Sequence, residues 1–185
     1  HLVFSSSCTV YGQPDQLPVT ENTPLQPANS PYGYTKQACE QVLRDVSVSG
    51  EDFNSVLLRY FNPVGAHPSG RIGELPLGVP ENLVPYITQT AAGLRESLTV
   101  FGNDYDTPDG TCIRDYIHVM DLAAAHVKAL DWMAGKSGQC ETFNLGTGRG
   151  NTVLEVIQSF EHVSETALNY TIGPRRPGDV EKIFA

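Results

Sequence analysis

Tyr32 and Lys36 stand four residues apart in Ser30-Pro31-Tyr32-Gly33-Tyr34-Thr35-Lys36, a spacing that puts both on one face of a helix, one turn apart. A free tyrosine titrates near ~10 and is a poor base at neutral pH, but an ammonium fixed beside a phenol favours the phenolate. Such a pair can take an alcohol's proton and give it back. The same spacing suits an ordinary amphipathic helix with an exposed Lys and a half-buried Tyr, so these two residues alone leave both readings open.

The elements needed to position them are present. Ser30 suits an N-cap and Pro31 a first helical position, and Cys39, Val42, Leu43 and Val46 continue the helix at apolar spacing. Upstream, Leu2-Val3-Phe4 reads as a buried strand running into Ser5-Ser6-Ser7. Val56 to Phe61 reads as the next strand, stopped by Asn62-Pro63-Val64-Gly65. Ligands of an open α/β sheet sit outside the carboxyl ends of its strands. Ser7, Asn62 and Asn144 fall at such ends, although Ser5-Ser6-Ser7 fits a plain strand-end turn equally well.

Further on, residues 12–29 and 66–80 read as loops, and the second is long enough to be functional. Residues 82–94 read as a helix, Leu98–Phe101 as a strand, 102–110 as a turn-rich loop and Asp115–Val119 as extended chain. Asp121 is placed to cap a helix reaching Met133; Phe143–Leu145 is a strand; Thr152 and Glu155 have capping-box spacing before Val156, Ile157 and Phe160. Leu168–Ile172 reads as an edge strand. Strands and helices alternate throughout, which predicts an α/β fold with a mostly parallel sheet.

Composition narrows the function. With 185 residues, 40% of them hydrophobic, the chain can bury a sizeable core. Its net charge of −9 argues against a nucleic-acid surface. There is no apolar run long enough to span a membrane and no charged start before an apolar stretch. Cys8, Cys39, Cys112 and Cys140 are scattered without C-x-x-C or metal-ligand spacing, which fits a reducing, cytoplasmic setting. His67, His118, His126 and His162 lack metal spacing as well, so no metal site is expected. Gly146-Thr147-Gly148-Arg149-Gly150 has the look of a phosphate loop but not its fingerprint, and reads as a tight structural turn. Arg114, Arg175 and Arg176 are placed to hold phosphates in an acidic chain; a salt bridge such as Arg176 to Asp179 is the other reading. The chain opens on His1 with an apolar segment under way and ends on Ile183-Phe184-Ala185, and so reads as a piece of something longer.

Taken together, residues 5–12 (Ser-Ser-Ser-Cys-Thr-Val-Tyr-Gly) and 30–36 resemble the catalytic core of the extended short-chain dehydrogenases/reductases that act on nucleotide sugars. Leu58 to Gly70, Phe101-Gly102-Asn103-Asp104-Tyr105 and Asp109 to Val119 resemble, within that family, the UDP-glucose 4-epimerases. The resemblance runs in order over essentially the whole chain. It implies a Rossmann-like doubly wound parallel sheet, of which only the carboxyl-terminal strands are present, and a smaller α/β substrate lobe. Residues 1–62 would belong to the NAD-binding part and 63–185 mostly to the UDP-sugar lobe, with about 118–148 returning to the first sheet.

The resemblance also implies roles. Tyr32 would take the C4 hydroxyl proton while hydride passes to NAD. Lys36 would tune the phenol and bind the nicotinamide ribose, and Ser7 would bond the sugar oxygen. Phe61 would lie on the cofactor; Asn62, Asn82, Leu83, Phe101, Arg114, Tyr116, Arg176 and Asp179 would hold the UDP-sugar, the two arginines on the diphosphate. Ile183 would stand beside the sugar ring and bound its pocket. The implied reaction interconverts UDP-galactose and UDP-glucose, in a protein that is a homodimer when intact, while the fragment alone would bind NAD poorly. Cys8 and Thr9, where sugar dehydratases carry an Asp-Glu pair, argue against dehydration. Epimerisation of an N-acetylated UDP-sugar and non-catalytic nucleotide-sugar binding are the alternatives.

Overall fold

Val56, Leu57 and Leu58 are three apolar residues in a row, and a strand of that kind needs cover on both faces. The computed structural model, which describes residues 1–49 and 52–185, supplies it. Strand β1 (Leu2–Ser7) pairs in parallel with β2 (Ser55–Tyr60), and β2 pairs in parallel with β6 (Cys140–Leu145), giving a sheet of order β1-β2-β6. Successive side chains of a strand point to opposite faces. Val56 and Leu58 pack on Ala129 and Met133 of α3 (Val119–Met133), whereas Arg59 meets Glu40 of α1 (Pro31–Val48). Helices on both faces of a parallel sheet are the doubly wound arrangement the alternating pattern predicts.

The remaining strands form two further sheets, one of four strands and one of two, among the described residues. β5 (Ile113–His118) pairs with β3 (Asn62–Val64) and β9 (Lys182–Ile183) in parallel, and with β7 (Gly150–Thr152) antiparallel. β4 (Leu98–Phe101) pairs in parallel with β8 (Tyr170–Gly173). Between them, Ile87 of α2 (Leu83–Ala91), Leu98, Val100, Leu168 and Ile157 of α4 (Val153–Ser164) form one apolar cluster. Another joins Cys8, Val10, Tyr11, Val19, Phe61 and Ile183 beneath the end of β1.

Several local expectations change. Asn62-Pro63-Val64 does not simply stop β2: after a break at Phe61 it forms β3 against Tyr116–His118. The cap of α3 is His118, whose ring Nδ1 accepts the Met120 N–H at 3.1 Å, while Asp121 sits in the first turn, where a carboxylate suits the helix dipole. α2 ends at Ala91 and not at Leu94, because Gly93 takes φ +72° and the Gly93 and Leu94 N–H groups donate back to the Thr90 and Gln89 carbonyls. The capping box of Thr152 and Glu155 forms as expected.

Candidate active site

The carboxyl end of β1 is where the chemistry-bearing side chains collect. Ser30 caps α1, its Oγ accepting the Gly33 N–H at 3.1 Å, with Pro31 in the first turn. That start brings Lys36 back over β1, where its Nζ donates to the Ser5 carbonyl at 2.8 Å. The ammonium lies 5.0 Å from the Phe4 ring centre and 5.4 Å from that of Tyr32. Tyr32 is 53% exposed, which leaves its phenol open to a ligand. Ser7 ends β1 and is buried, its Oγ accepting the Thr9 N–H at 3.2 Å. An ammonium has three donors and this one uses one on the protein carbonyl. The free donors of Lys36, with the Tyr32 and Ser7 hydroxyls, form a set that suits a ribose diol and a sugar alcohol, so these residues fit a nicotinamide dinucleotide.

Next to this corner lies a cavity of about 620 Å³, within the range of small-molecule sites. Asn62, Asn82, Leu83, Phe101, Arg114, Tyr116, Arg176 and Asp179, all eight singled out for the nucleotide sugar outside the Tyr32 corner, line it. They come from β3, the start of α2, β4, β5 and the segment before β9, so the topology gathers what the sequence spreads over more than a hundred positions. Ser7 and Tyr32 do not line it. The connection runs through Cys8 and Phe61, which share the core cluster below, to Asn62 on the cavity wall.

Phe61 and Ile183 sit in the core, 4% and 3% exposed, packed with Cys8, Val10, Tyr11 and Val19, and neither lines the cavity. Asn82 is the N-cap of α2 by position only: its amide donates to Glu74 Oε1 at 2.9 Å instead of capping the helix.

The cavity wall carries two cations, Arg114 and Arg176, and two carboxylates, Glu81 and Asp179. Asp179 receives Arg176 on both oxygens, at 2.8 and 3.2 Å, and Arg114 at 3.6 Å. Two guanidiniums therefore meet at the Asp179 carboxylate, and a pair set this close also suits the charge and spacing of a diphosphate. Of the two sequence readings of Arg176, the salt bridge to Asp179 forms. Burial pushes the Tyr116 phenol up to about 12, with Arg114 opposing, so Tyr116 is a neutral hydrogen-bond donor and not a base. Burial likewise raises the Cys8 thiol to about 12, which leaves this neighbour of Ser7 inert.

The glycine-rich turn at 146–150 is structural, as its sequence suggests. The Thr147 and Gly148 N–H groups donate to the carboxylate of fully buried Asp115 at 2.8 and 3.1 Å, so the cradle is filled from within. A side chain on Gly146 would come within 2.5 Å of that carboxylate.

Sequence reasoning missed Glu40 and Arg59. Arg59 Nε and Nη2 donate to the two Glu40 oxygens at 2.8 and 2.5 Å, and its Nη1 donates to the Tyr11 hydroxyl at 3.1 Å. Tyr11 in turn donates to Asn144 Oδ1 at 2.6 Å. The one available signal was Arg59 within an otherwise apolar strand, since a buried charge needs a partner.

Residues 1–146 match the NAD dependent epimerase/dehydratase family. The chain belongs to that family. It is 55% identical over 184 residues to the UDP-glucose 4-epimerase of Bacillus subtilis, covering 100% of this chain and 54% of the relative. Identity is also 55% over 184 residues with UDP-glucose 4-epimerase 4 of Oryza sativa subsp. japonica, covering all of this chain and 50% of that one. The chain thus spans about half the length of the curated relatives it matches. Among solved structures, the UDP-glucose 4-epimerase of Bifidobacterium longum in complex with NAD+ and UDP superposes with a TM-score of 0.94 at 52% identity. That superposition covers 99% of this chain and 54% of the other. The likeness extends the family's Rossmann-like α/β fold to this chain.

Proposed function

We propose that this chain carries the catalytic centre of an NAD-dependent epimerase that interconverts UDP-galactose and UDP-glucose. The observation that carries the reading is Lys36, pinned on the Ser5 carbonyl against the Tyr32 ring, beside a cavity walled by Arg114 and Arg176. Relatives bearing the epimerase name at 55% identity support it.

NAD would be held by Lys36 and Tyr32 and supplies reversible hydride acceptance when bound. Tyr32 takes the C4 hydroxyl proton, and the Lys36 ammonium stabilises negative charge on the phenol oxygen. Ser7 donates to the sugar oxygen and keeps it within reach of Tyr32. The arginines hold the diphosphate while the 4-keto sugar turns, and Tyr32 returns its proton when the sugar is reduced on the other face. Holding the substrate by its diphosphate leaves the sugar ring free to rotate. Tyr116, neutral up to about pH 12, contributes a hydrogen bond without competing for the proton.

Residues 1–62 and about 118–148 would form the dinucleotide-binding part and the rest the UDP-sugar lobe. The return of β6 to β2 supports that division. A homodimer is part of the proposal, supported by exposed Tyr34, Val42 and Val46 on α1, as is a cytoplasmic setting, supported by four free cysteines. The test is to supply UDP-galactose and NAD to the full-length protein and follow products by NMR. UDP-glucose is expected; a product lighter by one water, or unchanged substrate, overturns the reading.

A further inference from the structure

α1 carries the acid/base pair yet has almost no apolar seam. Its inward positions are Gly33, Lys36, Gln37, Glu40, Leu43, Arg44 and Ser47, and among the described residues only Leu43 of these is an apolar side chain. The apolar Val42, Val46 and Val48 point outward. Polar bonds dock this helix instead. Glu40, 1% exposed, accepts from Arg59 on both oxygens and from Ser6 Oγ at 2.5 Å. Arg44 Nη2 donates to Thr142 Oγ1 at 2.6 Å, and Ser47 meets Ser55 at 3.1 Å. Apolar contact is non-directional and tolerates sliding, whereas short hydrogen bonds fix both distance and direction.

We propose that Glu40 is a positioning residue: its bonds to Ser6 and Arg59 set the register of α1 along β1 and β2, and so the placement of Tyr32 and Lys36 against Ser7. Glu40 lies one turn beyond Lys36 on the same face, and its partner Ser6 precedes Ser7 in β1. The carboxylate thereby ties the two halves of the acid/base constellation to one point. The Tyr11 hydroxyl, between Arg59 and Asn144, extends the tie to β6. Glu40 bonds only to Ser6, Arg44 and Arg59 among the described residues, none of which lines the large cavity. Its effect therefore falls on the chemistry and not on nucleotide binding. This role rests on the epimerase reading.

The test is Glu40→Asp in the full-length protein, which keeps the charge and retracts the carboxylate by about 1.5 Å. A misplacement of that size predicts a kcat about 10- to 100-fold lower, with KM for UDP-galactose within about twofold of the parent because the cavity is untouched. In a Ser7→Ala background the same change adds little further loss, since both act on one geometry. A merely structural role gives multiplying losses, or activity falling with the folded fraction, and overturns the proposal. Should Glu40→Asp not fold, Ser6→Ala, which leaves the Glu40–Arg59 pair whole, predicts the same split at a few-fold loss. A kcat unchanged in Ser6→Ala then overturns it. Crystal structures of parent and variant give a reading without substrate: α1 is expected to shift along its axis, with Lys36 drawn off the Ser5 carbonyl. An unmoved α1 counts against the proposal even if the protein proves to act on another substrate, whereas an inactive parent with a shifted α1 counts against the epimerase reading alone.

Discussion

At the scale of single residues, the Lys36 ammonium, anchored on a protein carbonyl beside the ring, separates Tyr32 from exposed Tyr34 and Tyr170, which have no such cation among the described residues. Tyr32→Phe removes the proton acceptor and leaves the packing. Steady-state assays are expected to show kcat down by about 10²–10⁴-fold with KM little changed. Arg176→Ala acts on the other side of the site, taking away the bidentate partner of Asp179 and one of the two cations of the cavity wall. Calorimetry with UDP is expected to show binding weaker by about tenfold or more. Cys8 and Cys39 offer a contrast read by alkylation and mass spectrometry. Exposed Cys39 is labelled in the folded protein, while buried Cys8, raised to about 12, stays unlabelled until the protein unfolds. Most site residues were legible in the sequence because each sits in a motif with recognisable neighbours. Glu40 was not: one Glu on a helix full of polar residues gives no sign of facing inward until Arg59 is seen opposite it.

At the scale of elements, the caps of α1 and α4 were readable, while the cap of α3 and the short strand pairings were not. The Ser30-Pro31 start of α1 and the Thr152/Glu155 box are local chemistry, and both form. Strands β3, β7 and β9 have two or three residues each, too few for any alternation to register, and exist only because β5 offers them its edges. The end of α2 at Ala91 was not legible because Leu94 continues the apolar spacing, while the positive φ of Gly93 closes the helix. Asp115 shows how an element depends on one side chain: it is fully buried and accepts from the Thr147 and Gly148 N–H groups and the Thr147 hydroxyl. Asp115→Ala leaves those donors unpaired and is expected to cost roughly 2–3 kcal/mol in denaturant melts, against about 1 kcal/mol for Thr152→Ala at the start of α4.

For the whole molecule, burial of titratable groups gives the fold an alkaline limit. Cys8 is moved from 9.0 and Tyr116 from 10.0, each to about 12. Between those ordinary values and about 12 the unfolded chain has lost protons that the folded state keeps, so stability falls as pH rises through this window. Urea midpoints are expected to drop between pH 9 and 11 and to change little between 7 and 8; a flat profile would mean that these groups are not buried as described. The doubly wound layout was legible from alternating elements, whereas the meeting of Asn62, Asn82, Phe101, Arg114 and Arg176 around one cavity was legible through the family resemblance and not from local pattern, since it depends on β5 pairing with β3 and β9. The central claim is that the C4 hydrogen leaves as hydride and returns to the same sugar. The most direct measurement supplies the full-length protein and NAD with UDP-galactose deuterated at C4 and follows the label by NMR. UDP-glucose retaining the deuterium at C4 is the predicted result; UDP-glucose with the label lost to water would contradict it.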